Sequence, residues 1–411
     1  MQAAAGVFDF DEALKIVLEQ AAKLAPLQSE VSELLSCADR VLAEAVLADR
    51  DQPPFNRSTR DGFALRAIDT GSPLKVVGLL KAGEQWQHGP LERNSAIEIM
   101  TGAPTPAGAD AVVMIEHVER DGDSIRLLPG RTIRAGENIV PQGSEARESQ
   151  TVLAVGTSIE GAEIALAASC GCSDLRVYKR PSVAIVATGD ELVPLNATPG
   201  PQQIRNSNSY GLAALVTHAG GEPVRLPIAP DRRPELEETI RSARSCNLML
   251  LSGGVSMGKY DLVEEVLQGL GAKFFFTGVK MQPGKPLVFG QLPANDKLGP
   301  QFFFGLPGNP VSAQVTFHCF VEPMLRAMGG APVQLPRFLQ ATLAEDAAGK
   351  AGLMRILPAR LTSNRARPEV RLVGWQGSGD LAANAQANCY AVLPPGEKQF
   401  LAGDVITILL R

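Results

Sequence analysis

Five loops in the middle of the chain carry side chains that bind metal ions and phosphate, and each adjoins an apolar, strand-like run. They hold four carboxylates, two lysines and two glycine turns: Asp190, Glu191, Asp231, Asp261, Lys280, Lys285, Gly253-Gly254 and Pro307-Gly308-Asn309-Pro310. Carboxylate oxygens suit Mg²⁺, which also takes phosphate oxygens and water as ligands. Lysines act as point charges, and glycine backbone N–H groups cradle anions. The set predicts magnesium bound together with a phosphorylated ligand.

Residues 248–267 show the pattern most clearly. An apolar run is followed by three glycines within six positions and then by Asp261, with Glu264 three residues further on. A strand, a glycine loop and a capped helix start together bind phosphate. Residues 253–259 match the first seven positions of the phosphate-loop motif, but Tyr260 stands where that motif has Ser or Thr. We therefore exclude an ordinary nucleotide triphosphatase. Asp261 is either a metal ligand or the cap of an ordinary tight turn.

Two further stretches, residues 53–65 and 99–111, are rich in glycine, proline and polar residues. Taken alone, each is typical of a turn with a capping Asp or of a Pro-Gly loop. The sequence contains no Ser-His-Asp or Cys-His arrangement, so acyl transfer has no candidate nucleophile.

The loops are positioned by alternating strands and helices. From residue 181 the pattern predicts strands at 182–187, 223–228, 248–252, 273–276, 286–289 and 302–304, and helices at 209–218, 234–245, after 261 and at 311–328. Such alternation predicts a doubly wound, mostly parallel sheet. Ligands of these sheets bind beyond the carboxyl ends of the strands, where the loops described above lie.

The rest of the chain predicts a multidomain α/β protein. We expect an amphipathic helix at about 9–24, a second helix near 32–45, a helical patch at 162–169 and no helix after residue 330. The predicted domains are an elongated helical or linker domain (1–54 with 147–180), a β-rich inserted domain (55–146), the doubly wound domain (181–329) and a C-terminal β-barrel-like domain (330–411).

Composition excludes several classes of protein. The chain has 411 residues, is 45% hydrophobic and 20% charged, and has a formal net charge of -5. The lack of a basic run argues against nucleic acid as the main partner. No apolar run reaches the ~18 residues of a membrane span, and the N-terminus does not resemble a signal peptide. The six cysteines and four histidines show no metal-binding spacing, so we expect buried thiols in a reducing cytoplasm.

Several of these motifs, in this order, resemble the molybdopterin molybdenumtransferases, the MoeA family that includes the E domain of gephyrin. The resemblance covers essentially the whole chain. It rests on residues 54–65, Met100-Thr101-Gly102-Ala103-Pro104, Thr188-Gly189-Asp190-Glu191, Ser252-Gly253-Gly254-Val255-Ser256, Pro283-Gly284-Lys285-Pro286, residues 305–310 and Gln376-Gly377-Ser378.

The resemblance implies an enzyme that inserts molybdate into adenylylated molybdopterin and releases AMP, with Mg²⁺ required. It also implies a cytoplasmic homodimer of L-shaped subunits, with each active cleft between the doubly wound domain of one subunit and the β-rich domain of the other. The implied partners are the adenylyltransferase that supplies the pterin and the enzymes that accept the cofactor. Neither nucleic acid nor membrane is implied.

The resemblance also implies a set of site residues. The catalytic ones are Asp61, Thr101, Glu191, Asp231, Asp261, Lys280 and Lys285. Those that bind pterin and phosphate are Gly253, Gly254, Ser256, Asn208, Pro307, Gly308, Asn309, Pro310 and Ser378. As a hypothesis from their chemistry, we assign the metal to Asp190, Glu191 and Asp261.

The chain departs from the family pattern at four positions. Arg57 and Arg60 lie just before Asp61, and we expect their charges to lower the pKa of its carboxyl. Glu145 stands where the family has Asp, and Gln282 where many relatives have Lys. Two other functions are compatible with these residues: a pterin-binding scaffold without turnover, and a molybdopterin adenylyltransferase.

Overall fold

The computed structural model describes residues 6–254, 262–294, 299–363, 367–396 and 399–411. No helix in these ranges is both long enough and apolar enough to cross a membrane.

The largest unit is a six-stranded sheet that matches the predicted doubly wound domain. Its strands lie in the order Glu222–Arg225, Ser182–Ala187, Leu248–Ser252, Gln301–Leu306, Val288–Leu292 and Lys273–Phe276. The first four are parallel and the last two are antiparallel to their neighbours. The fold class is therefore confirmed, and the last strand pair makes the sheet mixed.

Helices cover both faces of this sheet because its strands are apolar on both sides. Val183 and Ile185 point into one core, whereas Ala184 and Val186 point into the other. The first core is covered by helices Phe10–Ala21 and Asn208–His218 and by the helical segment that follows Asn309. The second is covered by Arg233–Ala243 and Leu262–Gly269.

The segment predicted as one helix at 311–328 is helical throughout but irregular. It consists of Pro310–Thr316, a π turn at Phe317–Val321, and Glu322–Met328. Pro323 near the start of the last part has no N–H to donate, which breaks the regular hydrogen-bond ladder. The π turn carries five fully or nearly buried side chains, and its His318 faces the C-terminal domain.

The N-terminal helix Phe10–Ala21 packs on the doubly wound sheet. Its buried face (Phe10, Ala13, Leu14, Val17 and Ala21) is part of that sheet's core, and the Phe10 ring lies 5.4 Å from the Phe320 ring. The predicted domain boundaries stay a prediction. They group this helix with residues 147–180, whereas in the structure the helix packs on the sheet.

The prediction of a helix near 32–45 is wrong. The chain forms the strand Ser29–Glu33, which pairs with Asp174–Tyr178, and then a short 3-10 turn at Leu34–Cys37. Asp39 has φ +60, a conformation that an α-helix does not tolerate. Val46–Leu47 pairs with Thr151–Leu153, and the helix Gly161–Ser169 completes this unit. Pairing with distant strands has overridden the local helical pattern.

Residues 57–140 form the predicted β-rich unit. Its six-stranded sheet has the order Ala111–Met114, Gly62–Leu65, Ser95–Ile99, Leu74–Leu80, Ser124–Leu127 and Val118–Asp121. Separate apolar clusters cover its two faces. A short ribbon of Arg57–Ser58 with Ile139–Val140 lies beside it.

The C-terminal unit is a small barrel. Its strands lie in the order Met281–Gln282, Met354–Thr362, Glu369–Leu372, Phe338–Leu343, Val405–Leu410 and Cys389–Leu393, and the barrel closes because Met354–Thr362 also pairs with Cys389–Leu393. The expectation of no helix after residue 330 is wrong, since Leu381–Gln386 is helical with Asp380 as its cap. Short ribbons elsewhere join Val7–Phe8 to Gly278–Val279, Leu192–Val193 to Ile204–Arg205, and Ala347–Ala348 to Gln399–Phe400.

Candidate functional site

The first two loops at the carboxyl edge of the sheet are tied to each other. The Thr188 hydroxyl donates to Asp231 Oδ1 at 2.7 Å, and the Asp231 amide donates to Asp190 Oδ1 at 3.2 Å. Thr188 and Ala229 also form a parallel bridge that extends the sheet by one residue. Asp190 and Asp231 are thus brought together as predicted. Part of the hydrogen-bonding capacity of each carboxylate is used to hold the loops.

Glu191 lies folded back over Gly189. A Cβ atom at position 189 would stand 2.5 Å from Glu191 Oε2, so only glycine leaves room for this placement. The Gly189 φ of +149 also favours glycine. The Glu191 side chain is exposed and borders the cleft described below.

The glycine loop after Leu248–Ser252 begins against the first loop. A Cβ at Gly253 would lie 2.3 Å from the Thr188 carbonyl oxygen, and one at Gly254 would lie 2.7 Å from Val263 Cγ2. Both glycines have positive φ. They are therefore required for the close packing of two loops and a helix. Ser256 and Asp261 lie outside the described residues, and their predicted roles stay predictions.

Asn208, at the start of its helix, joins the glycine loop to the Pro-Gly-Asn-Pro loop. Its Nδ2 donates to Ser252 Oγ at 2.9 Å and to the Gly308 carbonyl at 2.7 Å. Asn309 Nδ2 in turn donates to Ser378 Oγ at 2.9 Å, and the Val311 amide donates to the Ser378 carbonyl. Two side-chain amides thus connect three loops, and Ser378 brings the C-terminal barrel to the site.

These loops enclose an open cleft of about 610 Å³. Of the predicted site residues, eight line it: Glu191, Asn208, Gly253, Gly254, Pro307, Gly308, Asn309 and Pro310. Sequence reasoning missed Arg205, Asn206 and Ser207, which also line it. The available signal was a run of polar residues directly before a predicted helix, the usual position of a functional loop. Asp190 borders a neighbouring cavity instead.

The two predicted lysines lie apart from the lining of this cleft. Lys280 Nζ pairs with Asp9 Oδ1 at 3.1 Å, at the start of the N-terminal helix. Lys285 is exposed, and its carbonyl accepts from the Val279 amide. Its neighbour Pro286 does line the cleft. Lys285 is therefore adjacent in sequence to a cleft-lining residue, whereas the Lys280 side chain forms an ion pair with Asp9.

Asp61 and Thr101 are joined to each other on the β-rich unit. Asp61 Oδ1 accepts from the Thr101 amide at 2.6 Å and from its hydroxyl at 2.8 Å. Both bonds lower the pKa of the exposed Asp61 carboxyl below its ordinary value, and the bond from the Thr101 amide has the larger effect. The expected direction is confirmed, but the cause is Thr101 and not the neighbouring arginines.

Arg57 and Glu145, two of the departures from the family pattern, form a pair. Arg57 Nη2 lies 3.1 Å from Glu145 Oε1, and both side chains are largely exposed. The longer Glu145 is thus paired with an arginine that the family pattern lacks. An exposed ion pair of this kind contributes at most about 1 kcal/mol.

The described carboxylates fit magnesium by donor type. Within the described ranges, no three carboxylate, imidazole or thiolate groups cluster closely enough to hold a metal alone. Mg²⁺ is usually bound by one or two carboxylates together with substrate phosphates and water. Glu191 at the cleft and Asp190 at the neighbouring cavity each supply oxygen donors of this kind.

Comparison with known proteins identifies the family. Three family models match in order: "MoeA N-terminal region (domain I and II)" at residues 8–171, "Probable molybdopterin binding domain" at 184–327, and "MoeA C-terminal region (domain IV)" at 340–410. The chain is 35% identical to a molybdopterin molybdenumtransferase of Nostoc sp. over 93% of its own length and 88% of that relative. The chain belongs to the MoeA family.

Other MoeA relatives agree over the same length. A molybdopterin molybdenumtransferase of Staphylococcus epidermidis is 32% identical over 97% of this chain and 94% of its own. The crystal structure of the molybdopterin biosynthesis moeA protein from Pyrococcus horikoshii superposes with a TM-score of 0.80 at 28% identity, covering 98% of this chain and all of the other. The match therefore includes the β-rich unit and the barrel as well as the sheet.

Proposed function

We propose that this MoeA-family chain is a molybdenumtransferase that inserts molybdate into adenylylated molybdopterin and releases AMP. The observation that carries the proposal is the match to transferases along the whole chain, including the regions on both sides of the molybdopterin-binding domain. The cleft of about 610 Å³ at the carboxyl edge of the sheet supplies a place for the pterin.

In this mechanism the glycine loop and the Pro-Gly-Asn-Pro loop hold the pterin and its phosphate. Glu191, Asp190 and Asp261 would hold Mg²⁺, which would neutralise phosphate charge when bound. Lys285, next to the cleft-lining Pro286, would hold an anionic group as a point charge. Lys280 could do so only after leaving its ion pair with Asp9. Asp231 keeps its loop in register through Thr188, whose hydroxyl donates to it at 2.7 Å. Ser378 completes the wall from the barrel.

We propose further that the enzyme is a homodimer and that Asp61 and Thr101 reach the cleft of the partner subunit. Both side chains are exposed and bonded to each other on a unit separate from the sheet. A cleft between subunits gives this exposed, ionised Asp61 a role. Supply of the substrate by an adenylyltransferase and delivery to accepting enzymes are part of the same proposal.

A cytoplasmic location is also proposed. All six cysteines are free, which is typical of a reducing compartment.

The test is AMP release by the purified protein given adenylylated molybdopterin and Mg²⁺, with and without molybdate. We expect release that depends on molybdate, and loss of turnover in Asp261→Ala with fold and oligomer unchanged. Asp121→Ala, at an edge strand of the β-rich unit, is the matched control. Tight pterin binding without AMP release under any oxyanion would mean that the chain is a scaffold. Wild-type turnover in Asp261→Ala would contradict the proposed role of Asp261.

A further inference from the structure

A small cavity of about 90 Å³ lies at the opposite edge of the doubly wound sheet from the cleft. Arg180 and Pro181 line it, and they directly precede the strand Ser182–Ala187. Gly220 also lines it, and this residue lies two positions before the strand Glu222–Arg225. These are the amino ends of parallel strands, whereas the cleft lies at the carboxyl ends. The function proposed above therefore gives this space, here called the joint cavity, no role.

The joint cavity lies between two parts of the molecule. One wall consists of residues 39–41 and 158–160, from the part of the chain that precedes the doubly wound domain. The opposite wall comes from that domain, at the ends of the helices Asn208–His218 and Glu322–Met328. The segment 178–181, which leads from the first part into the sheet, completes the lining. A ligand in the joint cavity would therefore contact both parts.

Arg40 brings a buried cation to the joint cavity. Its side chain is only 9% exposed, and its Nη2 donates to the Glu30 carboxylate and, at 2.8 Å, to the Tyr178 carbonyl. The Nε and Nη1 groups of Arg40 donate to no residue that the structure describes. A guanidinium has five N–H groups, so several of them are available to a ligand in the cavity that Arg40 lines.

Backbone hydrogen bonds and close packing hold the residues around Arg40 in place. Asp39 has a φ of +60, a left-handed conformation that Asp tolerates better than most residues. The Asp39 amide donates to the Ile159 carbonyl, and the Ile159 amide donates to the Arg40 carbonyl. The Tyr178 ring lies against Gly330, where a Cβ atom would stand 2.1 Å from Tyr178 Cδ2. The guanidinium therefore extends from a fixed turn, and a ligand does not need to order it.

Basic side chains outnumber acidic ones in the lining of the joint cavity. It holds four cations and two carboxylates: Arg40, Lys179, Arg180, Arg326, Asp39 and Glu160. Within the described ranges, the side chains of Lys179 and Arg180 have neither a hydrogen-bond nor an ion-pair partner. Two of the four cations are thus free to bind an anion, and the lining as a whole is positive.

The helix ends at the joint cavity do not account for these cations. Basic side chains often lie near helix C-termini, where they hydrogen-bond the last carbonyls. Here the last carbonyls of Asn208–His218 accept backbone N–H groups from residues 219–221. Those of Glu322–Met328 accept from residues 329–331 and from Leu27. Lys179 and Arg180 are therefore not needed as caps.

From this arrangement we propose that the joint cavity binds a small tetrahedral oxyanion of the phosphate or sulfate type. A volume of about 90 Å³ admits such an ion but not a nucleotide. Arg40 would donate from its unused N–H groups, and Lys179 and Arg180 would contact the ion from the segment that leads into the sheet. The bound ion would hold the two parts of the molecule together.

Titration calorimetry on the purified full chain tests the site, with sulfate as the first probe. We expect wild type to bind one sulfate ion, and to bind chloride at least about tenfold more weakly at equal ionic strength, because chloride has half the charge. Lys179→Gln and Arg180→Gln should each weaken sulfate binding by about tenfold, the usual effect of losing one charged hydrogen bond. Titrations with phosphate and with molybdate in the same variants then show which of these oxyanions the site prefers.

Two control variants separate the joint cavity from other anion sites. Arg205→Gln removes an arginine from the lining of the cleft, and Lys23→Gln removes an exposed lysine just after the helix Phe10–Ala21. Both should bind sulfate as wild type does. Thermal unfolding gives a second readout. Because sulfate also stabilises proteins in general by exclusion from their surface, the rise in midpoint should be larger in wild type than in Lys179→Gln.

Three results would overturn the oxyanion site: no sulfate binding to wild type, unchanged sulfate affinity in both Lys179→Gln and Arg180→Gln, or a loss of affinity in Arg205→Gln alone. The last result would place the ion in the cleft. None of these results depends on AMP release, so the oxyanion site and the transferase proposal are tested separately.

Discussion

At the scale of single residues, the charge state of Asp61 depends on one neighbour. The Thr101 amide and hydroxyl both donate to the same oxygen, Asp61 Oδ1. These bonds favour the ionised carboxyl and lower its pKa. Of the two arginines that precede Asp61, Arg57 is paired with Glu145 instead. A hydrogen-bond donor 40 residues away in the chain therefore matters more than an adjacent cation.

Thr101→Val removes the hydroxyl donor and keeps the shape of the side chain. Because one of the two bonds that favour the ionised form is lost, we expect the pKa of Asp61 to rise towards its ordinary value. Asp61 would then become protonated at a higher pH, and the acid limb of kcat/KM for AMP release would move to higher pH. Thr101→Ser keeps the donor and should show the wild-type profile. An unmoved acid limb in Thr101→Val would show that Asp61 ionisation does not limit the rate.

At the scale of elements, glycines determine how closely neighbouring backbones approach. Gly253 packs on the Thr188 carbonyl, and Gly62 packs on the facing strand Ala111–Met114. A Cβ at Gly62 would lie 1.8 Å from the Val113 carbonyl oxygen, which is backbone and cannot move aside alone. Gly62 follows Asp61 directly, so this close pairing lies next to the Asp61–Thr101 contact.

Gly62→Ala is expected to destabilise the protein by about 1–3 kcal/mol, the usual cost of forcing an extra carbon into a packed site. The midpoint of urea unfolding should fall accordingly. Gly71→Ala is the matched control, because no atom lies within 4 Å of a Cβ built there. Equal midpoints for the two variants would contradict the argument from backbone contact.

At the scale of the whole molecule, a buried polar cluster lies between the doubly wound domain and the barrel. His318 Nδ1 is 2.9 Å from Glu322 Oε2, and Arg337 reaches the other Glu322 oxygen at 3.9 Å. The His318 ring faces the Tyr390 ring of the barrel. Burial raises the pKa of the Glu322 carboxyl, but His318, Arg337 and Arg326 outweigh burial, and the net pKa is lowered.

The lowered pKa of Glu322 predicts acid sensitivity. Its stabilising contribution is present above the ordinary carboxyl value of 4.5 and is lost as the pH falls through the lower folded value. Glu322→Gln should cost about 1–2 kcal/mol at neutral pH, the usual loss when a hydrogen bond to a charged group is weakened, and should flatten the fall of stability in acid. Urea midpoints measured against pH test this, with the exposed Glu19→Gln as control. Parallel curves for wild type and Glu322→Gln would contradict it.

Mixing two inactive variants tests the proposed cleft between subunits. Asp61→Ala and Glu191→Ala, each inactive alone, should regain about a quarter of wild-type activity after mixing and exchange of subunits. Half of the dimers are then mixed, and each mixed dimer has one intact cleft. If both residues served the cleft of their own subunit, no dimer would have an intact cleft, and the mixture would stay inactive.

Most of the regular elements were predictable from the sequence because their signals are local. The strand Ser182–Ala187 is a short apolar run, and the helix Phe10–Ala21 has an apolar face at helical spacing. The loops with Glu191 and Pro307 follow strands and Asn208 begins a helix, and a parallel sheet collects such positions at one edge. The helix expected near 32–45 failed because Ser29–Glu33 pairs with Asp174–Tyr178, far away in the chain.

What the sequence alone determined is the kind of chemistry: carboxylates, lysines and glycine turns at predictable positions, and motifs in the order of the MoeA family. What only the tertiary structure decided is which of these groups meet. Lys280 pairs with Asp9, Ser378 joins the site through Asn309, and Asp190 and Glu191 border different cavities. Residue type and spacing are carried by the local chain. Contacts between distant residues depend instead on how whole elements pack, and a single sequence does not state them.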